Sequence, residues 1–282
     1  MPTAIDPGAQ LFPEALGQLR PSCGRLAGRR ILVVGAGQRE IDDPQPPVGN
    51  GRAISILFAH EGAQLTCVDI NPDALATTCE LVRRAGGTAH AEVGDVADAA
   101  AIPRLVQAAH DRMGGLDGLV MVVGVASGLS LDLQNADAWD REHALNVRSC
   151  MLFGQQALKH MAPGGSIVLL SSIAALRNSS RNPAYETTKA AQVALARAIA
   201  MAGQDKGVRC NSLLPGLMDT PIGRAATKRR ADRLAMPLPF GRQGTGWEVA
   251  HAALFLVSNE SSYVNAHALV VDGGLTGGIA RT

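Results

Sequence analysis

The chain has 282 residues, with 26 Lys and Arg against 25 Asp and Glu, so its formal net charge is +1. That balance argues against a dedicated nucleic-acid binder, and a hydrophobic share of 46% argues against a disordered chain. Aromatic residues are scarce at 3% and glycine is plentiful at 31 residues, which suits helices packed closely on a parallel sheet.

Residues 1–25 hold Pro2, Pro7, Pro13 and Pro21 and show no clean period. They read as an N-terminal extension, either a tail or an arm that packs on a neighbouring subunit through Leu11, Phe12, Leu16 and Leu19. The start shows neither the basic nor the apolar region of a secretion signal, and no run of about 18 apolar residues marks a membrane span. The five cysteines are scattered without zinc spacing, as are the seven histidines, so no metal is expected. The expectation is a cytoplasmic protein with unpaired thiols.

Residues 26–282 read as one domain. β-like runs lie at 31–34, 64–68, 88–93, 116–123, 166–171, 208–213 and 268–271, and several of them are near-continuous in Val, Ile and Leu, as strands covered on both faces should be. Helix-length segments lie between them at 52–60, 72–85, 99–113, 137–160, 184–202 and 247–257. Strict alternation predicts an α/β fold of the Rossmann type, a doubly wound, seven-stranded parallel sheet with helices on both faces.

The first predicted strand runs into Gly35 and Gly37, and Gly49-Asn50-Gly51 opens the helix that follows. Glycines there let a backbone approach a pyrophosphate, and a helix N-terminus offers N–H groups to it. Alone this is a weak signal. The second predicted strand ends at Asp69-Ile70, where a carboxylate accepts from ribose hydroxyls and repels a 2′-phosphate. NAD is therefore favoured, with NADP as the alternative. Between the glycines sits a polar, proline-rich insertion at 38–48, whose Arg39 is the counterweight to NAD.

Tyr185 and Lys189 share one helix face at i, i+4 spacing. A nearby ammonium favours the phenolate and brings a phenol toward acid/base work at neutral pH. Ser171-Ser172 closes a strand at the carboxyl edge of the sheet, where open α/β sheets bind ligands. Asn146 sits mid-helix, where Asn is a poor helix former. Leu214-Pro215-Gly216, with Thr220 beyond, follows the sixth strand.

With these residues the chain resembles the short-chain dehydrogenase/reductase family, from about residue 26 to 274. The motifs are Gly35…Gly49-x-Gly51, Asp69, Asp95-Val96, Asn146, Ser172, Tyr185-x-x-x-Lys189, Pro215-Gly216 with Thr220, and the terminal Val271-Asp-Gly-Gly274. The resemblance implies reversible hydride transfer between a nicotinamide and an alcohol/carbonyl pair. Tyr185 would be the general acid/base and Ser172 would hold the substrate oxygen. Lys189 would bind the nicotinamide ribose and depress the Tyr185 pKa, and Asn146 would hold a water linking Lys189 to a proton relay. Asp95 would bond the adenine amine, Val96 would lie against the ring, and Pro215 and Thr220 would contact the carboxamide. Gly35, Gly37, Gly49, Asn50, Gly51, Asp69, Ile70 and Gly124 complete the expected cofactor set. A homotetramer built on the two long helices is implied too. Two positions depart from the family: Val34 replaces a Thr, and Met121-Val-Val-Gly124 replaces an Asn-Asn-Ala-Gly stretch.

Residues 217–244 stand where the family places a substrate lid. They carry Arg224, Lys228, Arg229, Arg230, Arg233 and Arg242 against Asp219 and Asp232, either a pull on an acidic substrate or a solvated helix face. Met218, Ile222, Leu234, Met236, Leu238 and Phe240 are expected to line an apolar substrate moiety, with the loop 125–134 as the facing wall. The expected function is NAD(H)-dependent oxidoreduction of a secondary alcohol or ketone. The alternatives are an NADPH-dependent 3-oxoacyl-thioester reductase and a catalytically silent nucleotide-binding scaffold.

Overall fold

A strand side chain alternates between the two faces of a sheet, so a strand covered on both faces must be apolar throughout. The central strands β1 (Arg30–Val34), β2 (Gln64–Asp69), β4 (Leu116–Met121), β5 (Met161–Leu170) and β6 (Arg209–Pro215) are largely buried, and β6 departs from the apolar rule with buried Arg209, Asn211 and Ser212, each held by hydrogen bonds. The edge strands β3 (Thr88–Val93) and β9 (Ala268–Val271) are less buried. The computed structural model describes residue 8 and residues 11–178, 181–229 and 238–278.

The seven strands form one parallel sheet in the order β3-β2-β1-β4-β5-β6-β9. Strand order reverses between β1 and β4, the switch point where such sheets bind ligands at their carboxyl ends. Ile31 and Val33 face one core with α1 (Asn50–His60), α2 (Pro72–Arg84) and α8 (Gly246–Val257). Leu32 and Val34 face the other, with α3 (Ala101–Met113), α5 (Ser149–His160) and α6 (Pro183–Ala202). A two-stranded ladder of β7 (Met218–Asp219) and β8 (Gly244–Thr245) sits beside α7 (Pro221–Arg229).

The doubly wound fold is as expected, with three local differences. The helix predicted over 137–160 is broken: α4 (Ala136–His143) passes through a π turn, Ala144–Arg148, into α5. The fourth strand stops at Met121, and Val122 and Val123 run on as loop. The apolar stripe of the N-terminal extension is not buried as a unit. Phe12 and Leu16 are exposed, while Ala15 is buried and Leu19 packs on the core. A Cβ on Gly17 would stand 2.6 Å from the Trp247 ring, so the extension passes flat against α8. Thr245 Oγ1 donates to the Ala15 carbonyl at 2.7 Å and fastens it there.

No helix among the described residues is long and apolar enough to cross a membrane. No metal-binding cluster of His, Cys, Asp and Glu occurs among them either. Cys67, Cys79, Cys150 and Cys210 are buried thiols and Cys23 is exposed.

Candidate active site

The first turn is built by close approach. Gly35 adopts φ +86°, and a Cβ on Gly51 would stand 2.0 Å from the Gly35 carbonyl oxygen. Only glycine lets α1 start against that turn. The N-cap of α1 is Gly49, with no side-chain cap, so the first-turn amides are left for a ligand. Gln38 Oε1 accepts from the Gly49 N–H at 2.7 Å and closes the base of the insertion. The Asn50 Oδ1 atom is buried there without a hydrogen-bond partner. A Cβ-free cradle, uncapped helix amides and an orphaned amide oxygen together fit a dinucleotide.

At the end of β2, Asp69 Oδ2 accepts from the Gly37 N–H at 2.8 Å and Oδ1 from the Asn71 N–H at 3.0 Å. The carboxylate is held at the rim of the first turn. Arg52, at the start of α1, is turned away: its Nε donates to Thr78 Oγ1 at 3.0 Å, and burial lowers its pKa. Ile70 is exposed beside Asp69, Asp95 is exposed after β3, and Val96 is buried. Arg39 is exposed on the insertion.

The second half of the site lies where β5 ends and α6 begins. Ser171 and Ser172 divide the work there. Ser171 Oγ donates to the Lys189 carbonyl at 2.7 Å and pins α6 to the sheet. Ser172 Oγ accepts from the Ala174 N–H at 3.1 Å, which leaves its hydroxyl proton to donate. On α6, Tyr185 is half-buried and Lys189 is buried, with Lys189 Nζ over the Tyr185 ring at 5.5 Å from its centroid. Lys189 Nζ donates to the Leu170 carbonyl at 2.8 Å and to Gln192 Oε1 at 3.0 Å. Burial pulls the Lys189 pKa down to about 8.

Asn146 lies in the π turn and spends its side chain on structure. Its Nδ2 donates to the Val125 carbonyl at 2.9 Å and to Thr188 Oγ1 at 3.0 Å, and its Oδ1 accepts from the Val125 N–H at 2.9 Å. Its backbone carbonyl accepts from Gln192 Nε2 at 2.7 Å. Where the resemblance implies a water on Asn146, a side-chain amide stands on its carbonyl. The loop after β4 is held from the other side by buried Glu142, which accepts from the Ser127 N–H at 2.7 Å. At Gly124 a Cβ would stand 3.1 Å from Lys189 Nζ, so this glycine makes room for the ammonium. Val122 and Val123 pack into the two cores in place of polar ties.

Beyond β6, the Gly216 N–H donates to Val271, and a Cβ on Gly216 would stand 2.6 Å from the Asp272 side chain. Thr220 is buried, and its Oγ1 accepts from the Gly223 N–H at 3.1 Å while its hydroxyl proton stays available. The lid differs from expectation in two ways. Met218 is core rather than lining, because β7 carries it inward. Arg224 and Arg242 are not free charges: Arg224 pairs with Asp219 and, across the chain, with Asp43, and Arg242 pairs with Glu248. Ile222 and Phe240 are exposed and Leu238 is half-buried. Arg230, Arg233, Leu234 and Met236 lie outside the described residues, as does the Arg229 side chain.

One residue around Lys189 was not singled out from sequence, Gln192. Gln192 is a fully buried polar residue among the alanines of α6, which is the signal that marks it.

A family profile described as enoyl-(acyl carrier protein) reductase matches residues 48–276. The chain is 30% identical over 257 residues to 2,5-dichloro-2,5-cyclohexadiene-1,4-diol dehydrogenase LinX of Sphingobium indicum, covering 90% of this chain and 99% of that one. It is 33% identical over 258 residues to D-threitol dehydrogenase of Mycolicibacterium smegmatis, covering 89% and 94%. A crystal structure of a protein assigned to the short-chain dehydrogenase/reductases, from Burkholderia xenovorans, superposes with a TM-score of 0.83. Its identity is 35%, with 91% of this chain and 99% of that one covered. The chain belongs to the short-chain dehydrogenase/reductase family and is an NAD(P)-dependent oxidoreductase.

Proposed function

We propose that this family member is an NAD(H)-dependent dehydrogenase that interconverts a secondary alcohol and a ketone through Ser172, Tyr185, Lys189 and Asn146. The observation that carries the reading is the buried Lys189 ammonium lying over the half-buried Tyr185 ring at the carboxyl edge of the sheet. A positive charge there favours the phenolate. Tyr185 takes the hydroxyl proton in the oxidative direction and returns it in the reductive one. Ser172 donates its hydroxyl proton to the substrate oxygen and stabilises the charge that develops on it. Lys189 keeps its ammonium in place through Leu170 and has one further N–H for a ribose. The nicotinamide supplies the site of hydride exchange when bound. Gly35, Gly49, Asn50 and Gly51 would hold the pyrophosphate, Asp69 the adenosine ribose, Asp95 and Val96 the adenine, and Pro215 and Thr220 the carboxamide.

Asp69 at the rim and Arg52 turned onto α2 support NAD over NADP. The two relatives named above are dehydrogenases of a diol and of D-threitol, so diols belong at the head of a substrate panel. The outward faces of α5 and α6 leave Met151 and Met201 exposed, which supports a homotetramer through those helices. A sedimentation mass near the 29.3 kDa of one chain would reject it. We place the protein in the cytoplasm.

The test is a cofactor-reduction screen over diols, sugars, sterols and acyl alcohols, run with wild type and Tyr185→Phe. Loss of about 10²- to 10⁴-fold in kcat/KM is expected for the variant. Equal turnover by both proteins rules out catalysis through Tyr185.

A further inference from the structure

We propose that Gln192 is a positioning residue of this site, whose side-chain amide bridges the Lys189 ammonium to the Asn146 carbonyl with protein atoms alone. The inference rests on the proposed role of Tyr185 and Lys189.

Gln192 lies one helical turn beyond Lys189 on the inner face of α6 and is fully buried. Its Oε1 accepts from Lys189 Nζ at 3.0 Å, while its Nε2 donates to the Asn146 carbonyl at 2.7 Å and to Cys150 Sγ at 3.3 Å. The contacts settle the orientation of the amide, because an ammonium only donates and a carbonyl only accepts. The π turn, Ala144–Arg148, sets the Asn146 carbonyl where Gln192 reaches it. The Asn146 side chain has no part in this bridge, since it is bonded to Val125 and Thr188. A second tie holds α6 in place, as Ser212 Oγ donates to the Gln192 carbonyl at 3.4 Å.

The physical consequence concerns the charge. A buried ammonium is stable only when its protons meet acceptors. Leu170 and Gln192 supply two, and the third proton is left for a ligand. The titratable groups around the ammonium are Tyr185 on its own helix and Cys150 on α5. Burial raises the Cys150 pKa, so it stays a neutral thiol. β5 presents the Leu170 carbonyl and the loop after β4 presents Gly124, neither of which titrates. Gln192 therefore stands beside the charge as its only side-chain acceptor among the described residues. A carboxamide holds an ammonium but does not pass a proton along as a water does. The link from Lys189 to Asn146 is a fixed brace, and it keeps the positive charge beside Tyr185.

The chain has two tyrosines, and Tyr263 is fully exposed, so tyrosine ring-carbon NMR gives one site signal and one internal reference. The experiment titrates the full chain with saturating NAD+, as wild type, Gln192→Leu and Gln192→Met. Both variants keep the volume and remove the acceptor. Without it Lys189 loses its proton at lower pH, and the Tyr185 transition moves up by about one pH unit, a tenfold change, while Tyr263 stays put. A Tyr185 transition unmoved in either folded variant overturns the proposal, because a Gln192 that merely fills the core would leave it unmoved. Folding is checked independently by near-UV dichroism, and the Met variant serves if the Leu variant does not fold. The readout needs no turnover, so failure of the catalytic reading in the Tyr185→Phe screen is a separate result.

Discussion

Replacing Asp69 by Asn should erase the discrimination between the two nicotinamide cofactors. The carboxylate is anchored by two backbone donors, Gly37 N–H at 2.8 Å and Asn71 N–H at 3.0 Å. It cannot swing away without losing both. A 2′-phosphate carries about two negative charges, and at about 5 Å from this carboxylate it meets unfavourable Coulomb energy. With an effective dielectric of about 40 to 60, between that of a protein surface and that of water, the repulsion is about 2 to 3 kcal/mol. That corresponds to about 30- to 150-fold in affinity. An Asn at this position keeps an oxygen for the Gly37 N–H but removes the charge. The assay is fluorescence titration of wild type and Asp69→Asn with NADH and with NADPH. Wild type should bind NADH more tightly, and the ratio should fall by about that factor in the variant. Tighter NADPH binding by wild type, or a ratio that moves less than about threefold, means that the carboxylate does not set the preference.

Two further predictions concern the site and its cover. Burial holds the Lys189 pKa at about 8 against an ordinary 10.5, so between those values the unfolded chain binds more protons than the folded one. The cost of burying the ammonium is fully present below pH 8 and is relieved as pH rises to 10.5. Urea melts should therefore show wild type gaining about 3 kcal/mol relative to Lys189→Met across that window. A difference that is flat with pH contradicts a buried ammonium. The second prediction concerns the insertion at 38–48. Arg224 Nη1 donates to Asp43 Oδ2 at 2.7 Å and to the Gln45 carbonyl at 2.9 Å, while its other nitrogens hold Asp219. The guanidinium side chain is 31% exposed, so screening limits the pair. A double-mutant cycle of Arg224→Ala with Asp43→Asn should give a coupling of about 1 kcal/mol in denaturant stability. A coupling below about 0.3 kcal/mol means that insertion and lid helix are not joined by this bridge.

Much of this protein was readable along the chain because its signals are local. Continuous apolar runs separated by helix-length segments are what a sheet covered on both faces requires, and β3 and β9 occupy the expected residues. Gly35 and Gly51 were legible because close backbone approach admits only glycine. The i, i+4 pairing of Tyr185 and Lys189 follows from helix geometry alone.

Other features were decided by partners distant in sequence. No residue pattern announces the π turn at Asn146. It goes with bonds to Val125, 21 residues away, and to Thr188, 42 residues away. The pairing of Arg224 and Arg242 was out of sight along the chain for the same reason. Counting residues 217–244 omits Asp43, which meets Arg224 across a separation of 181 residues, and Glu248 beyond the segment. The two serines after β5 look alike in sequence, and only the docking of α6 gives Ser171 a carbonyl to bond and leaves Ser172 at the edge. Gln192 carries the same lesson. Its sequence neighbours are alanines and a valine, and its partners are an ammonium, a carbonyl and a thiol brought together by the packing of α6 on α5 and the π turn. Periodicity and backbone sterics act within a few residues, so the fold and the shared helix face of Tyr185 and Lys189 were readable along the chain. Hydrogen bonding in a dry interior acts between whatever the topology juxtaposes, so the surroundings of those two side chains were set by the folding of distant segments onto α6.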